Sequence, residues 1–419
     1  MKEYSGWEYL LIDVANNSPF GLDKKVFEER IAWATENLTD LEIVAEYQVW
    51  KERPLYIKAV MAVRAAQRGE PSGHLVGLDA VCSGMQLMAA VTGCLKGAEA
   101  TGLIDPNRRA DAYTDCTKIM SRILGKTLDD SDRDNIKQAT MTSLYGSKAE
   151  PIKVFGEGTD ELNAFYQALY ELAPGPCELL EALLQSWQED ALLHAWKLPD
   201  GYDARVKVMQ EVETRIEVDE LDHATFTYVY YVNEGEPSGV KNAANVVHSL
   251  DGYVLRSLVR RCNYDADIMV AAQQLIEWEL LERAFGQQQS RNYAHPSRMT
   301  QYYCEQYRRS NMPDIVMIPH LTEEDVICMG ENHLRQLNQI ITSMLEHKPF
   351  PIVTVHDDFR AHPNNLNHVR KHYREILAQL AESNVISDIL SQLHKREGTF
   401  PKFSTSLPQK IRQSAYALC

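Results

Sequence analysis

Apolar positions recur every three or four residues along most of this chain, a spacing typical of amphipathic helices. Residues 24–70 show it, and so does most of 107–175, with breaks expected at Gly125 and near Tyr145. We predict a helix from Arg133 to Leu144 with Ser131 or Asp132 as its N-cap. Further helices are predicted over 179–195 and 266–285, and from residue 366 to the C-terminus apart from a loop near 398–407.

A smaller part of the chain has the pattern of β-strands. Polar and apolar residues alternate over 204–218 and 226–232, which predicts strands with one covered face. Two short apolar runs, 74–79 and 350–355, also have strand character, and each is followed directly by acidic residues or ends on one. The pattern as a whole predicts a mixed, helix-rich α/β fold.

Composition narrows the class of protein. The 419 residues are 44% hydrophobic and 24% charged, as in ordinary globular proteins, and no apolar run reaches the eighteen or so residues of a membrane span. The first residues include two early acids and only a short apolar core, which does not resemble a signal peptide. The eight cysteines form no CxxC pair, so a zinc site and a disulfide framework are not indicated, and a cytoplasmic location is expected (the host cytoplasm if a phage encodes the chain).

The net charge of −16 constrains the partners. A free-standing nucleic-acid binder is usually basic, because it neutralises phosphates. Taken alone, the charge favours an enzyme acting on a small molecule. It permits a nucleic-acid enzyme only if cations are concentrated in a cleft or supplied by a partner.

Acids that follow strand-like runs are the first candidate chemistry. Asp79 and Asp357 each end or follow such a run, and carboxylates at the ends of adjacent strands can hold a pair of divalent cations. An acid after a strand is also a common turn former, so either residue alone is weak evidence. A second candidate is the predicted helix that places Arg133, Lys137 and Tyr145 on one face, at a spacing of four or eight residues. Such a helix can grip a triphosphate and stack on a base, although a solvated amphipathic helix has the same pattern.

Three segments together carry a resemblance to a known family. They are Asp79-Ala-Val-Cys-Ser-Gly-Met-Gln86, the stretch from Arg133 through Lys137 to Tyr145-Gly146-Ser147, and His356-Asp357-Asp358-Phe359. In order and spelling they resemble motifs A, B and C of the single-subunit RNA polymerases of phages and mitochondria. Among these the chain is most similar to the larger, catalytic subunit of the two-subunit RNA polymerase of schitovirus (enquatrovirus-like) phages. Asn245 to Gly252 resembles the family's segment between motifs B and C.

The resemblance implies a role for each matching residue. Asp79 and Asp357 would hold two Mg²⁺ ions, with the Ala80 carbonyl as an extra ligand. Arg133 and Lys137 would grip the nucleoside triphosphate, and Lys137 would act as general acid toward the pyrophosphate leaving group. Four further positions have implied roles at the nucleotide and the product: Tyr145 and His248 in selecting ribose, His356 at the RNA 3′ end, Tyr113 in ordering water at the metals, and Gly146 in accommodating the template base.

The resemblance also implies an architecture and partners. We expect a right-hand polymerase palm with inserted fingers, the N-terminal domain and thumb being absent from this chain. The first part of the palm would span 1–106, the fingers 107–248, and the second part of the palm 249–419 with an insertion near 265–330. DNA template, RNA product and NTPs are the implied ligands. A second, more basic polymerase subunit would supply the missing half, and a single-strand DNA-binding factor would recruit the enzyme to DNA; no membrane is involved.

Two alternatives stay open at this point. One is a DNA polymerase of the same architecture, suggested by Asp358, which replaces the family's usual serine. Because successive strand residues face opposite sides, we expect Asp358 to point away from the metals. The other is a non-catalytic subunit of a transcription complex.

Overall fold

A computed structural model of the chain describes residues 2–47, 49–286 and 295–419. Helices dominate the described residues. In the first half they are α1 Gly6–Asn16, α2 Phe27–Glu36, α3 Leu41–Tyr47, α4 Arg53–Gln67, α5 Ser83–Thr92, α6 Leu95–Ala100, α7 Ala112–Leu124, α8 Asp130–Ser143, α9 Ala149–Phe155, α10 Asp160–Leu172 and α11 Pro174–Gln185. In the second half they are α12 Lys241–Cys262, α13 Ala266–Ala284, α14 Arg298–Ser310, α15 Glu323–Cys328, α16 Glu331–Leu345, α17 Leu366–Glu382, α18 Val385–His394 and α19 Leu407–Gln413.

The strands form one three-stranded sheet and two hairpins. They are β1 Val76–Asp79, β2 Leu193–Lys197, β3 Asp203–Lys207, β4 Met209–Val218, β5 Ala224–Gly235, β6 Val353–Val355 and β7 Asp358–Ala361. The order of the three-stranded sheet is β1-β7-β6, with both pairs antiparallel, while β2 pairs with β3 and β4 with β5. The fold is therefore mixed and helix-rich, as the sequence predicts.

A buried helix lies at the centre of the larger core. Every residue of α5 from Gly84 to Thr92 is buried, and the helix contacts α11, α12 and α17. An apolar surface on all sides suits a helix at the centre of a core. Gln86 and Thr92 are the polar residues of this stretch. The Gln86 amide nitrogen donates to the Thr101 and Ala417 carbonyls at 2.8 and 3.1 Å, and Thr92 Oγ1 donates to the Met88 carbonyl at 2.7 Å.

The described residues contain a second, smaller hydrophobic core. It is built mainly from α13, α15 and α16, and its members run from Met269 to Met344. This core overlaps residues 265–330 and extends beyond residue 330, and the expected insertion there stays a prediction. Residues 287–294 of the expected insertion lie outside the described residues.

Several boundaries differ from the sequence-based expectation. The N-cap of α8 is Asp129, whose carboxylate accepts from the Ser131 and Asp132 backbone while Asp132 bonds back to it. The prediction of Ser131 or Asp132 as N-cap is therefore wrong, because the reciprocal capping box starts two or three residues earlier, at Asp129. The helix predicted over 179–195 ends at Gln185, and β2 begins at Leu193, where hairpin pairing with β3 outweighs helix propensity.

Candidate functional site

Two acids meet at one end of the three-stranded sheet. β1 ends on Asp79, which lies directly opposite Asp358 of β7, and Asp357 occupies the turn between β6 and β7. The Ala80 backbone N–H donates to the Asp357 carbonyl at 3.1 Å, which joins the two segments beyond the last strand pair. The antiparallel sheet thus brings together two sequence motifs that are far apart along the chain.

Both acidic segments contain a residue in the left-handed backbone region. His356 has φ +55° in the β6–β7 turn, and Cys82 has φ +50° at the start of α5. Non-glycine residues seldom adopt this conformation, and they do so mostly in tight turns and at functional sites. Cys82 follows Asp79 by three residues, and His356 directly precedes Asp357.

A cavity of about 500 Å³ opens next to these acids. Asp79, Ala80 and Asp357 line it, together with the start of α5. Residues of α7, α8 and the segment that follows α8 line it as well. Among them are the predicted site residues Tyr113, Arg133, Lys137 and Tyr145. His248, His356 and Gly146 do not line it.

The cationic wall of the cavity comes from α8. Arg133 Nε donates to Thr114 Oγ1 at 2.9 Å, and its Nη2 donates to Asp111 Oδ2 at 2.6 Å. These bonds orient the guanidinium from α7, and Asp111 also caps that helix. Lys137 lies one turn further along α8, is exposed, and has its ammonium 5.6 Å from the centre of the Tyr113 ring.

Tyr145 is positioned by packing from two sides. Its ring lies 4.9 Å from that of His248 on α12. On the other side is Gly84, where an added Cβ would lie 2.6 Å from the Tyr145 hydroxyl. Tyr145 and His248 are therefore in direct ring contact, and their joint role in selecting ribose stays a prediction.

Gly146 has a packing role in this structure. Its φ is +90°, and an added Cβ would lie 3.3 Å from Val240 Cβ and 3.4 Å from Leu184 Cδ2. Glycine is thus required by the backbone conformation and by contacts with the start of α12 and with α11. A contact with a template base stays a prediction.

The electrostatics of the acidic end favour a bound cation. Burial, with the neighbouring Asp358 and Asp357 carboxylates, raises the pKa of Asp79 to about 6. Burial and the Asp357 carboxylate likewise raise the pKa of Asp251 on α12 to about 6. Burial is also the main cause that raises the pKa of Tyr145 to about 12. Crowded carboxylates whose charged forms are disfavoured are stabilised when a cation enters between them.

The donor set suits Mg²⁺, which prefers carboxylate and carbonyl oxygens and keeps some of its waters. Asp79, Asp357 and the Ala80 carbonyl are of this type. Among the described residues, three ligand side chains converge within 4.8 Å at another place, Glu217, Asp219 and His223. All three are exposed at the tip of the β4–β5 hairpin, where His223 Nδ1 ion-pairs with Glu217 at 2.7 Å.

Asp358 does not line the 500 Å³ cavity. Its carboxylate accepts from Arg360 Nε at 2.6 Å and lies against Gly77, where an added Cβ would be 2.5 Å from Oδ1. The expectation that Asp358 simply points away is nonetheless incomplete. Asp358 is the cross-strand partner of Asp79, and both residues line a second cavity of about 610 Å³.

Four site residues escaped the sequence analysis. Arg109 and Lys24 line both cavities, Asp111 holds Arg133, and Asp251 lies near Asp357. Asp251 falls within the Asn245–Gly252 segment, so its position in that segment was a usable signal. No local pattern distinguishes Lys24 or Arg109 from other surface cations, because only the tertiary structure brings them to the cavity.

None of the helices in the described parts of the chain combines the length and apolar character needed to cross a lipid bilayer.

Comparison with known proteins finds similarity to one family over the first third of the chain. Residues 2–153 match the family model described as DNA-dependent RNA polymerase. The matched residues include Asp79, Tyr113, Arg133, Lys137 and Tyr145, whereas the segment from His356 to Phe359 lies outside the match. The resemblance predicted from the sequence is thereby supported for that region.

Curated relatives give the same result. The chain is 28% identical over 172 residues to the mitochondrial DNA-directed RNA polymerase 1 of Arabidopsis thaliana, covering 34% of this chain and 18% of that protein. It is 32% identical over 144 residues to the DNA-directed RNA polymerase of Pseudomonas phage phiKMV, covering 31% of this chain and 16% of the phage protein. A probable DNA-directed RNA polymerase of Neurospora crassa is 27% identical over 160 residues. The chain spans less than a fifth of the length of these relatives.

Proposed function

We propose that this chain is the catalytic part of a DNA-directed RNA polymerase of the phage and mitochondrial type. The observation that carries the proposal is the cavity that Asp79, Asp357, Arg133 and Lys137 line together. Two acids and two cations around one cavity suit a reaction in which a polyphosphate is held, and its charge balanced, while an oxygen attacks phosphorus. In this proposal the chain forms a palm with inserted fingers, and the palm acids lie at the end of the β1-β7-β6 sheet.

The proposed reaction is nucleotidyl transfer. The 3′ oxygen of the RNA attacks the α-phosphorus of an NTP, a new phosphodiester bond forms, and the bond to pyrophosphate breaks. Two Mg²⁺ ions bound by Asp79, Asp357 and the Ala80 carbonyl would supply charge stabilisation for the attacking and leaving oxygens. Lys137, exposed to the cavity, is suitably placed to donate a proton to the departing pyrophosphate.

Arg133 and Tyr113 prepare the triphosphate side of the cavity. The Thr114 and Asp111 contacts hold the Arg133 guanidinium in place before any ligand arrives, which lowers the entropy lost on binding. Burial and the neighbouring Cys82 thiol raise the pKa of Tyr113 far above its usual value. Tyr113 therefore stays a neutral hydroxyl, able to order water near the acids.

The contact between Tyr145 and His248 supports selection of ribose over deoxyribose. A histidine ring in contact with a tyrosine ring can complete a hydrogen-bonding site for a 2′-hydroxyl. The 2′-hydroxyl is the group that distinguishes RNA precursors from DNA precursors. In the same proposal His356, exposed in the β6–β7 turn, contacts the RNA 3′ end. The DNA polymerase alternative predicts no use of the 2′-hydroxyl.

The net charge of −16 supports a partner. A hybrid of template and RNA needs cationic surroundings, and we infer that a second, more basic polymerase subunit supplies part of them. Recruitment to DNA by a single-strand-binding factor belongs to the same proposal.

The experiment is Mg²⁺-dependent extension of an RNA primer annealed to a DNA template, with NTPs and dNTPs supplied in parallel reactions. We expect NTP extension that falls by at least about a thousandfold in Asp357→Asn, because an uncharged amide holds a cation poorly. Asp358→Asn is the matched control: this neighbouring acid pairs with Arg360 outside the cavity, and activity should stay within about tenfold.

Preference for dNTPs would favour the DNA polymerase alternative. Binding of a fluorescent NTP with Mg²⁺ gives a second readout that needs no partner subunit. Wild-type binding that is unchanged in an Arg133→Ala, Lys137→Ala variant would refute the assignment of the triphosphate site.

A further inference from the structure

A cavity of about 960 Å³ opens between the two hydrophobic cores. We call it the α16–α17 cavity, because most of its lining comes from α16 of the smaller core and α17 of the larger one. Helices α12 and α19 contribute Arg261 and Arg412. Pockets that hold small ligands have volumes of about 300–1,000 Å³. None of the residues predicted for nucleotidyl transfer lines this cavity, so its role is independent of the polymerase reaction.

The cavity contains cations that the protein itself does not neutralise. Among the described residues, five lysine and arginine side chains line it, and three of these are in ion pairs. The pairs are Arg335 with Glu331, Lys371 with Glu346, and Arg412 with both Glu375 and Glu382. The other two cations, Arg261 and Arg374, form no ion pair with any described residue.

Arg261 is the more deeply placed of these two cations. Its side chain is almost completely enclosed, with the residue only 1% exposed. Its Nη2 donates to Gln379 Oε1 at 2.7 Å, and its Nε has no hydrogen-bond partner among the described residues. Burial is the main cause that lowers the pKa of Arg261, but an arginine stays protonated in proteins. A buried charge without a counter-charge is unfavourable, and an anion in the cavity would supply one.

Arg374 on α17 is the second unpaired cation. It is partly buried, and its Nη1 donates to the Ser414 carbonyl at 2.9 Å. Burial, followed by the neighbouring Arg370, lowers its pKa. Glu375 attracts both unpaired arginines from a distance, but its oxygens accept from Arg412 at 2.8 to 3.2 Å. The carboxylate closest in influence is therefore already held by another arginine.

Two unpaired arginines suit a phosphate monoester. Such a group carries close to two negative charges at neutral pH, whereas a carboxylate carries one. Its oxygens also match the planar fork of a guanidinium.

The cavity also offers an unused hydrogen-bond acceptor. Asn338 Oδ1 on α16 is buried and has no hydrogen-bond partner among the described residues. An enclosed polar atom without a partner is costly, and a hydroxyl or amino group of a ligand would donate to it. The cavity therefore matches a ligand that carries a phosphate and a hydrogen-bond donor.

We propose that the α16–α17 cavity binds a small phosphate monoester. Its phosphate pairs with Arg261 and Arg374, and its hydroxyl or amino group donates to Asn338. Nucleoside monophosphates and sugar phosphates share this chemistry. A nucleic-acid strand is disfavoured, because each phosphodiester carries a single charge and successive phosphates would meet the carboxylates that also line the cavity.

The test is isothermal titration calorimetry of the full chain in buffer with EDTA, which removes the Mg²⁺ that the polymerase site is proposed to use. The ligands are AMP, ribose 5-phosphate, inorganic phosphate and adenosine. We expect at least one of the two phosphate esters to bind about tenfold or more tightly than adenosine and inorganic phosphate. Tighter binding of AMP would identify a nucleotide as the source of the phosphate, and equal or tighter binding of ribose 5-phosphate a sugar phosphate.

Variants locate the binding site. Arg374→Gln and Arg261→Gln should each weaken binding of the phosphate esters by about tenfold or more. Asn338→Ala should weaken the esters and leave inorganic phosphate within about twofold. Arg308→Gln is the matched control, since it removes an exposed arginine outside the cavity and should leave all affinities within about twofold. Circular dichroism checks folding, and the partly exposed Arg374 keeps the test decisive if the Arg261 variant does not fold.

Three results would overturn the proposal. The first is binding of both phosphate esters that is no tighter than that of adenosine. The second is AMP binding that is unchanged in Arg374→Gln and lost in the Arg133→Ala, Lys137→Ala variant, which would place AMP in the 500 Å³ cavity. The third is a short oligothymidylate that binds the wild type more tightly than AMP and fails to bind Arg374→Gln, which would assign the cavity to nucleic acid.

Discussion

Gly84→Ala offers a sharp test of how the cavity is organised. Gly84 lies in the first turn of α5, and an added Cβ would be 2.6 Å from the Tyr145 hydroxyl and 3.1 Å from its Cζ. Ordinary contact begins at 3.4 Å, so the tyrosine must move by about 0.8 Å. Because Tyr145 borders the cavity, its ring has room to move without disturbing the core.

We expect Gly84→Ala to lower activity much more than stability. Overpacking in a closed core costs about 1–3 kcal/mol, but here the open cavity relieves part of it. Replacing glycine by alanine in a helix returns up to about 1 kcal/mol. We therefore expect a melting temperature within a few degrees of the wild type. A displacement of this size in a group that positions substrate can slow a reaction about a hundredfold.

The assay is primer extension with NTPs and dNTPs, together with thermal melting. Gly252→Ala on α12 is the matched control, because the nearest atom to its added Cβ is the flexible Arg256 Nη1 at 3.2 Å. Gly84→Ala should lose rate and lose preference for NTPs, while Gly252→Ala should keep both. Tyr145→Phe removes the closest atom, so the double variant should recover part of the loss. Normal rate and preference in Gly84→Ala would refute the assignment of Tyr145 to the nucleotide.

Three other predictions concern two charged residues of the candidate site and one buried histidine. In metal-free buffer Asp79→Asn should raise the free energy of unfolding by about 1 kcal/mol at pH 8, and in Mg²⁺ buffer it should abolish primer extension. The raised pKa of Asp79 means that the folded state disfavours the carboxylate, so the destabilisation grows between pH 3.8 and about 6 and is constant above. A variant no more stable than wild type in denaturant titrations at pH 8 would contradict this. Arg133→Lys should raise the KM for NTPs about tenfold with little change in kcat, since lysine cannot keep both the Thr114 and Asp111 contacts while reaching a phosphate; an unchanged KM in steady-state kinetics would argue against a gripping role. His333, buried and stacked at 3.8 Å on Tyr307, has a pKa lowered to about 3 by burial, so it contributes stability above pH 6.5 that is lost as the pH falls toward 3. The wild type should lose about 2 kcal/mol of unfolding free energy between pH 6.5 and 5 through this residue, and His333→Phe should lose less; parallel pH curves for the two proteins would disprove it.

The local pattern of polar and apolar residues predicted much of the fold, because helix formation depends on residues that are close in sequence. The helix predicted over 266–285 is α13, Ala266–Ala284, and the alternation over 204–218 and 226–232 corresponds to β3, β4 and β5. The end of the helix predicted over 179–195 was wrong, since hairpin pairing of β2 is a contact between segments that periodicity does not register.

The candidate site was also predicted only in part from the sequence. The sequence motifs selected six residues that all line one cavity, namely Asp79, Tyr113, Arg133, Lys137, Tyr145 and Asp357. A motif can do this because the chemistry requires particular side chains at particular positions. The motifs did not reveal Arg109 or Lys24, which matter because they lie beside the acids. They also did not show that Gly146 is required by packing against α11 and α12.

The helix-rich class, the acids and cations of the candidate site, and the excess of negative charge can all be read from the amino-acid sequence. Which of these residues lie together depends on the tertiary structure. The β1-β7-β6 sheet brings Asp79 and Asp357 together, and the register makes Asp358 the partner of Asp79. The physical reason is that side-chain chemistry and helix formation are local properties, whereas distance, burial and the resulting shifts in pKa arise only when distant segments pack against each other.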